Sequence, residues 1–526
     1  MKALFLIFLP LLVMIGAGLV FFPGLVMWDE AGYIWEGYRI HEALRAADFL
    51  EFFRLTKSQF YYPFFQSWYL GITTLPFSYT AFSARLVSLF LLLPTVWLLW
   101  ALTRKISKKI FPSALVIFLF LTSPLILFYY STAMKEGLGT VLTLLAFWLY
   151  FQACQQASFL RKKRPEIWFF LTGITALILT LTKYNYGVLV LMVLGLESLF
   201  WRQWKQNLIM FLPVIFGLGI WLSQPGRPEG FLLVLQNRFT IHLYETTVLG
   251  HLLYYPLELA FGYFFSPLVC LLVVIGFIYG LKNWRDFRVR LLALIFLINF
   301  VLAERHMGNN QARFIFTSFP GFLIVGCLGL TQLFFKIQPL FRRGFWLGVS
   351  LPVFLVGGGV ILKDLFSLPK ILRPTASHQC DTAIFYETDQ AKSWRYDFNR
   401  ASWPHTYPEK NQETVGDVFD FIFANINTNK KFTPLNFTNE ISPGLFSFNF
   451  ALAKKAKKGT SEEKYSQYFV VLDIEPGSKF DTVDFRRANL GPMLEAKKFL
   501  ANPSFVQIAQ KRFPTLGLTV HILASP

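Results

Sequence analysis

The chain has 526 residues, of which 54% are hydrophobic and 18% aromatic, against only 15% charged. That balance excludes a monomeric soluble domain, which would have to expose too much apolar surface. A net charge of +19 does not indicate nucleic acid as a partner: basic and acidic residues nearly balance from Lys370 onward, and the surplus sits in short loops between apolar runs rather than on one soluble surface.

In chain order, the first apolar run covers about residues 3–26. It lacks a small-residue cleavage site and further spans follow, so it reads as a retained anchor rather than a signal peptide. Lys2 holds the N-terminus inside and places Trp28-Asp29-Glu30 just outside. Residues 28–75 are too long for a simple turn. Their pattern W-D-E-A-G-Y-I-W-E-G-Y-R-I-H-E-A-L-R sets Ile34, Tyr38 and Leu44 near one face, predicting an amphipathic helix in the interface plane. Later apolar runs predict spans near 79–102, 111–131, 137–154, 166–182, 185–200, 207–223, 252–280, 291–303, 314–335 and 344–362.

The loops between them carry Arg104, Lys105, Lys108 and Lys109, then Arg161, Lys162, Lys163 and Arg164, then Arg202 and Lys205. Lys282, Arg285, Arg288 and Arg290, followed by Lys336, Arg342 and Arg343, complete the set. With about eleven crossings, all of these loops share the cytoplasmic side with Lys2 and the C-terminus lies outside. The predicted architecture is a polytopic α-helical membrane module over 1–365, with a soluble α/β domain over 366–526 on the outer side. In that domain, strand patterns fall at Ala383–Tyr386, Tyr468–Leu472 and Leu518–Leu523, and helical patterns at 412–426 and 490–500. Cys154, Cys270 and Cys327 lie in apolar spans and Cys380 stands alone in the soluble region, so that domain has no internal disulfide.

Asp29 and Glu30 form an acidic doublet directly after the first span, an unusual place for two adjacent carboxylates. Two readings stand side by side: a general base poised between lipid and water, or a helix cap with interfacial solvation, with Tyr33 one turn further on the same face. Other ionisable residues recur at outer span ends: Lys135, Glu136, Lys183, Glu304, Arg305, His306 and Arg313. Singly each fits a snorkelling anchor; together they supply cations on the face of Asp29, where charge-assisted hydrogen bonds would hold an anionic headgroup such as a phosphate. His242, Glu245 and His251, in an outer loop over 224–251, match no tight metal-ligand spacing, so no metal is predicted. Asn436-Phe437-Thr438 fits a glycosylation sequon, a pattern common by chance.

Read in order, several of these stretches resemble the GT-C superfamily of membrane glycosyltransferases, and within it the protein O-mannosyltransferase and aminoarabinose transferase branch. They are W-D-E-A-G-Y at 28–33, Y-Y-P-F-F-Q-S-W at 61–68, A-R-L-V-S-L at 84–89, M-K-E-G at 134–137, L-T-K-Y at 181–184 and R-F-I-F-T-S-F-P at 313–320. The resemblance covers roughly residues 1–340. It implies a transferase moving a hexosyl or pentosyl group from a polyprenyl-phosphate donor, with inversion, to a lipid, glycan or protein acceptor at the outer face of a cell membrane, here expected to be a bacterial inner membrane. Asp29 would be the catalytic carboxylate and Glu30 its supporting neighbour, Tyr33 would line the cavity, and Glu136 would match the second acidic position. Lys183, Arg305 and Arg313 would bind the donor phosphate, with no cofactor or metal required. The chain departs from the aminoarabinose branch at Tyr61-Tyr62, where that branch has Glu-Lys, and at Gly32, where it has Arg. A transporter or flippase of a lipid-linked substrate is the competing class. It would show paired repeats and mid-membrane ionisable residues, and the sequence shows neither.

Overall fold

A computed structural model of the chain describes residues 28–59, 63–121, 123–158, 165–200, 204–229, 231–232, 267–304, 313–336, 385–388, 391–394, 415–435, 443–455, 465–474, 500–514 and 517–525. The expected spans at 3–26 and 344–362, residues 490–499 of the expected helix at 490–500, the sequon, Cys380, and His242, Glu245 and His251 lie outside the described residues.

The segment over 28–75 folds as α1 (Trp28–Arg45), α2 (Phe49–Ser58) and α3 (Phe65–Thr73). The Asp48 carboxylate caps α2 by accepting the Glu51 N–H at 2.9 Å. The expected apolar face of α1 exists and is covered by protein: Ile34 and Tyr38 are buried together with Ala31, Ile40 and His41, while Glu36, Arg39 and Glu42 stay partly exposed. α3 comes close enough on one side that a Cβ at Gly71 would stand 2.6 Å from Ile40 Cγ2. The exposed apolar face belongs instead to α2, where Phe49, Leu50 and Phe53 are open while Phe52 and Leu55 are buried. An open apolar face of this kind suits a lipid surface, and it lies on α2 rather than on α1.

The helical body follows as α4 (Ala81–Phe90), α5 (Leu92–Ser107), α6 (Ile110–Leu121), α7 (Pro124–Ser131), α8 (Lys135–Ser158), α9 (Pro165–Thr180), α10 (Tyr184–Phe200), α11 (Trp204–Leu222), α12 (Pro267–Lys282), α13 (Phe287–Glu304), α14 (Arg313–Phe316) and α15 (Phe319–Lys336). Thr80 and Ser83 open α4 with a reciprocal capping box. α4 and α5 divide at Leu91 because Pro94 has no N–H to offer the Phe90 carbonyl, and Pro124 likewise marks the break between α6 and α7. Among the described residues, Ala81–Ser107, Lys135–Ala157 and Trp204–Leu222 are long and apolar enough to cross a membrane. Shorter apolar helices accompany them, and α11 turns Ile215, Phe216 and Ile220 outward. Such a surface fits lipid and not water.

α13 runs for 18 residues, longer than its apolar run of 291–303, because its arginines are paired. Arg290 Nε donates to Glu197 Oε2 at 2.8 Å, its Nη2 pairs with Oε1, and its Nη1 donates to the Trp284 carbonyl. Arg288 Nη1 reaches the Lys105 carbonyl at 2.6 Å. A hydropathy run ends at an arginine, whereas a helix continues through one whose charge is matched.

Small residues set the spacing between helices. A Cβ on Gly173 of α9 would lie 1.9 Å from the Met210 carbonyl oxygen of α11, and one on Gly217 would lie 2.2 Å from Leu177 Cδ2. Gly173→Val is therefore expected to push α9 and α11 apart and lower the Tm of the detergent-solubilised protein by several degrees, a cost of about 1–3 kcal/mol. Gly219→Ala, with nothing within 4 Å of its added Cβ, serves as the control. Equal Tm values for the two variants would refute this packing.

The C-terminal region contains a hairpin, β1 (Phe385–Thr388) with β2 (Ala391–Trp394), and a four-stranded sheet in the order β3-β4-β6-β5. These strands are β3 (Lys431–Pro434), β4 (Gln467–Ile474), β5 (Val506–Phe513) and β6 (Leu518–Ser525). β3 runs parallel to β4, and β6 is antiparallel to both β4 and β5. Of the expected strand at Ala383–Tyr386, the described residues Phe385 and Tyr386 lie in the hairpin. Helices α16 (Val415–Ala424) and α17 (Pro443–Lys455) complete the α/β unit. One sheet face, with Val470, Leu472, Val520 and Ile522, packs with Val418, Phe419 and Ile422 of α16.

Candidate active site

The first turns of three helices converge. α1 supplies Asp29 and Glu30, α8 opens with Lys135 and Glu136, and α10 follows Lys183 and carries Tyr186 in its first turn. Acidic groups in a first turn are favoured there by the positive end of the helix dipole. Lys135, the first residue of α8, is disfavoured by the same field and is nevertheless buried. A residue placed against both local preferences belongs with charges elsewhere in the fold.

Glu30 is fully enclosed. Its two carboxylate oxygens accept Nε and Nη2 of Arg85, each at 2.7 Å, in a bidentate pair, and Oε1 also accepts the Ala133 N–H at 2.9 Å. This joins α1, α4 and the turn before α8 through charge-assisted bonds in a dry setting. Asp29, one residue earlier, is partly exposed and lies within electrostatic range of Lys135. The doublet is thus divided in exposure: Glu30 is enclosed and Asp29 is partly exposed.

Glu136 Oε1 accepts Lys183 Nζ at 2.9 Å and the Tyr186 hydroxyl at 3.0 Å, while Lys183 Nζ also donates to the Tyr186 oxygen at 2.9 Å. Lys135 Nζ stands 4.5 Å from the centroid of the half-buried Tyr33 ring, a cation–π contact, and within electrostatic range of Asp29, Glu136 and Lys183. One layer of charge therefore links Asp29, Lys135, Glu136 and Lys183, with the Glu30–Arg85 pair beside it.

The residue after Lys183 is fixed from the far side. Trp221 Nε1 donates to the Tyr184 hydroxyl at 2.9 Å, and the Arg227 guanidinium stacks on the Trp221 ring at 3.9 Å. The same guanidinium donates to the Lys57 and Gln59 carbonyls at the end of α2. This clasp ties α2, α10 and the chain after α11 together.

Of the residues singled out in the sequence, Asp29, Glu30, Tyr33, Lys135, Glu136 and Lys183 come together here. Arg305 lies outside the described residues; Arg313 begins α14, with its side chain outside them. Arg85 and Tyr186 had no assigned role. A lone arginine inside the apolar run 79–102 was the available signal for Arg85, since such a charge needs a partner.

No family model and no curated relative matches the sequence. In fold, the chain is similar to the crystal structure of ArnT from Cupriavidus metallidurans bound to undecaprenyl phosphate, with a TM-score of 0.58 and 12% identity over 98% of this chain and 97% of that one. Its similarity to the same enzyme in the apo state has a TM-score of 0.55 and 13% identity over 97% of each chain. The chain shares its fold with this protein.

Proposed function

We propose that this chain is a glycosyltransferase that moves a sugar from a polyprenyl-phosphate donor to an acceptor at the outer face of a membrane, with inversion and with Asp29 as general base. The observation that carries the reading is the division of the doublet: Glu30 is locked by Arg85 and Ala133, leaving Asp29 as the partly exposed carboxylate beside Lys135. The ArnT structure that this fold resembles holds undecaprenyl phosphate, which supports a lipid-phosphate donor.

In the proposed step the acceptor hydroxyl or amine attacks the anomeric carbon from the side opposite the phosphate. The new bond to that carbon forms as the bond to the phosphate oxygen breaks, and the acceptor proton passes to Asp29. The departing polyprenyl phosphate keeps the electron pair of the broken bond and gains negative charge, which Lys135 and Lys183 stabilise together with Arg305 and Arg313. Tyr33 forms part of the cavity wall and orients Lys135. Positive charge developing at the sugar carbon is favoured by the nearby carboxylates, as in hydrolytic sugar chemistry. The basic loops support a topology with this site and the region over 366–526 on the non-cytoplasmic side of a multi-pass protein of about eleven spans, which we assign to a bacterial inner membrane.

The test incubates the purified full chain, in vesicles, with polyprenyl-phosphate sugar radiolabelled in the sugar and an extract of membrane lipid, glycan and protein acceptors. Label is expected to move to an acceptor in step with release of polyprenyl phosphate. Movement of the intact lipid-linked sugar across the bilayer without release would replace this reading with a flippase.

A further inference from the structure

We infer that the C-terminal α/β unit is part of the catalytic framework, and that Phe448 of α17 is a positioning residue that fixes the helix bearing Asp29. The inference deepens the transferase reading and rests on it for its kinetic consequence.

Phe448 is buried, 3% exposed, in a cluster with Ile34 and Tyr38 of α1, Tyr79, and Ala133. Its ring stands edge-on to Tyr38 at 5.7 Å and to Tyr79 at 6.2 Å, and those two rings meet each other at 5.8 Å. Tyr79 in turn donates its hydroxyl to the Ile34 carbonyl at 2.9 Å, a direct bond to the α1 backbone. A Cβ at Gly37 would lie 2.3 Å from the Tyr79 hydroxyl oxygen, so α1 is held close to this ring. Burial, with Glu42 nearby, raises the Tyr38 hydroxyl above its usual pKa, so the ring packs as a neutral aromatic.

The contact extends to the doublet itself. Ala31 is buried in the same cluster as Val418, Ile422 and Ala453, which belong to the core of the α/β unit. Ala31, Ile34 and Tyr38 follow helical spacing, so one face of α1 is covered by that unit along two turns. The cluster around Phe448 also holds Ala133, whose N–H binds Glu30. Asp29 thus takes its height and rotation from two sides: the Arg85 pair and the α/β unit. A shift of about 1 Å in a reacting group costs about 10²-fold in rate.

The experiment compares Phe448→Ala, Phe448→Leu, Tyr79→Phe and Leu523→Ala in the full chain. Leu523 packs with Val471 on the opposite sheet face and controls for loss of stability in the unit alone. For Phe448→Ala, kcat is expected to fall about 10–100-fold with donor KM held within about twofold, and Phe448→Leu is expected to restore most of it. Tyr79→Phe is expected to lower kcat in the same sense, and Leu523→Ala to leave it within about twofold of the parent. An unchanged kcat in Phe448→Ala, or an equal loss in Leu523→Ala, overturns the inference. Should the parent protein transfer no sugar, the transferase reading fails, and amide exchange over residues 31–38 still decides the docking. Exchange about tenfold faster in Phe448→Ala than in Leu523→Ala supports it, and equal exchange overturns it.

Discussion

Asp29→Asn is expected to reduce sugar transfer by about 10²–10⁴-fold while the protein still folds and enters the membrane. Asparagine keeps the shape and hydrogen-bonding reach of the side chain but cannot take up the acceptor proton at neutral pH. The change leaves the Glu30–Arg85 pair and the Ala133 N–H bond in place, so the anchor of α1 survives. Loss of the carboxylate also leaves Lys135 with one negative neighbour fewer, which is expected to hold the anionic donor more tightly. The measurement is a steady-state transfer assay beside a thermal melt of the same preparation. Turnover within about threefold of the parent, at equal Tm, would remove Asp29 from the chemistry.

Arg85→Met is expected to act on folding. It would strand a fully buried Glu30 without its cation, at a cost of about 3–5 kcal/mol. Glu30→Gln strands the guanidinium instead and is expected to cost a similar amount. The double variant, Glu30→Gln with Arg85→Met, removes both charges and is expected to recover most of the loss, because two desolvation penalties disappear together. Thermal melts of all four proteins form the cycle, and a double variant as unstable as the sum of the singles would show that the two groups do not act as a pair. Recovered stability with low turnover would identify the pair as what aims Asp29.

Much of the helical body was legible in the sequence because apolar runs of span length leave few alternatives. The doublet stood out for a related reason: two carboxylates beside a span are costly enough to need a reason. Glu136 and Lys183 were each visible at a span end, yet their pairing through Tyr186 was not, since it depends on which helix starts meet. Arg85 was inside a quoted motif and still had no role, because its partner lies 55 residues away. The amphipathic pattern over α1 was legible, but not what covers its apolar face: α3 and α17 pack on it, while the side with Glu36 and Arg39 stays partly exposed.

α17 was missed for a different reason. Phe446, Phe448, Phe450 and Leu452 alternate with polar or small residues, a strand-like period of two. The segment is a helix with an apolar demand on more than one side: Phe448 packs with α1 residues, while Phe450 packs with Phe423 and Phe432 in the α/β core. β5 was missed as an edge strand whose pattern V-Q-I-A-Q-K-R-F is polar and largely exposed, and β3 because it is four residues long and ends in Pro434, tolerated at a sheet edge.

Among the described residues, the converging helix starts bring three carboxylates, Asp29, Glu30 and Glu136, against three cations, Arg85, Lys135 and Lys183. Most of these groups are enclosed, where dissolved ions screen poorly, whereas attraction between water-exposed charges fades over about 8 Å at physiological ionic strength. Added salt would therefore weaken the approach of an anionic headgroup from solution long before it loosened this layer. The ionic-strength dependence of turnover would then report capture of the lipid rather than the integrity of the site.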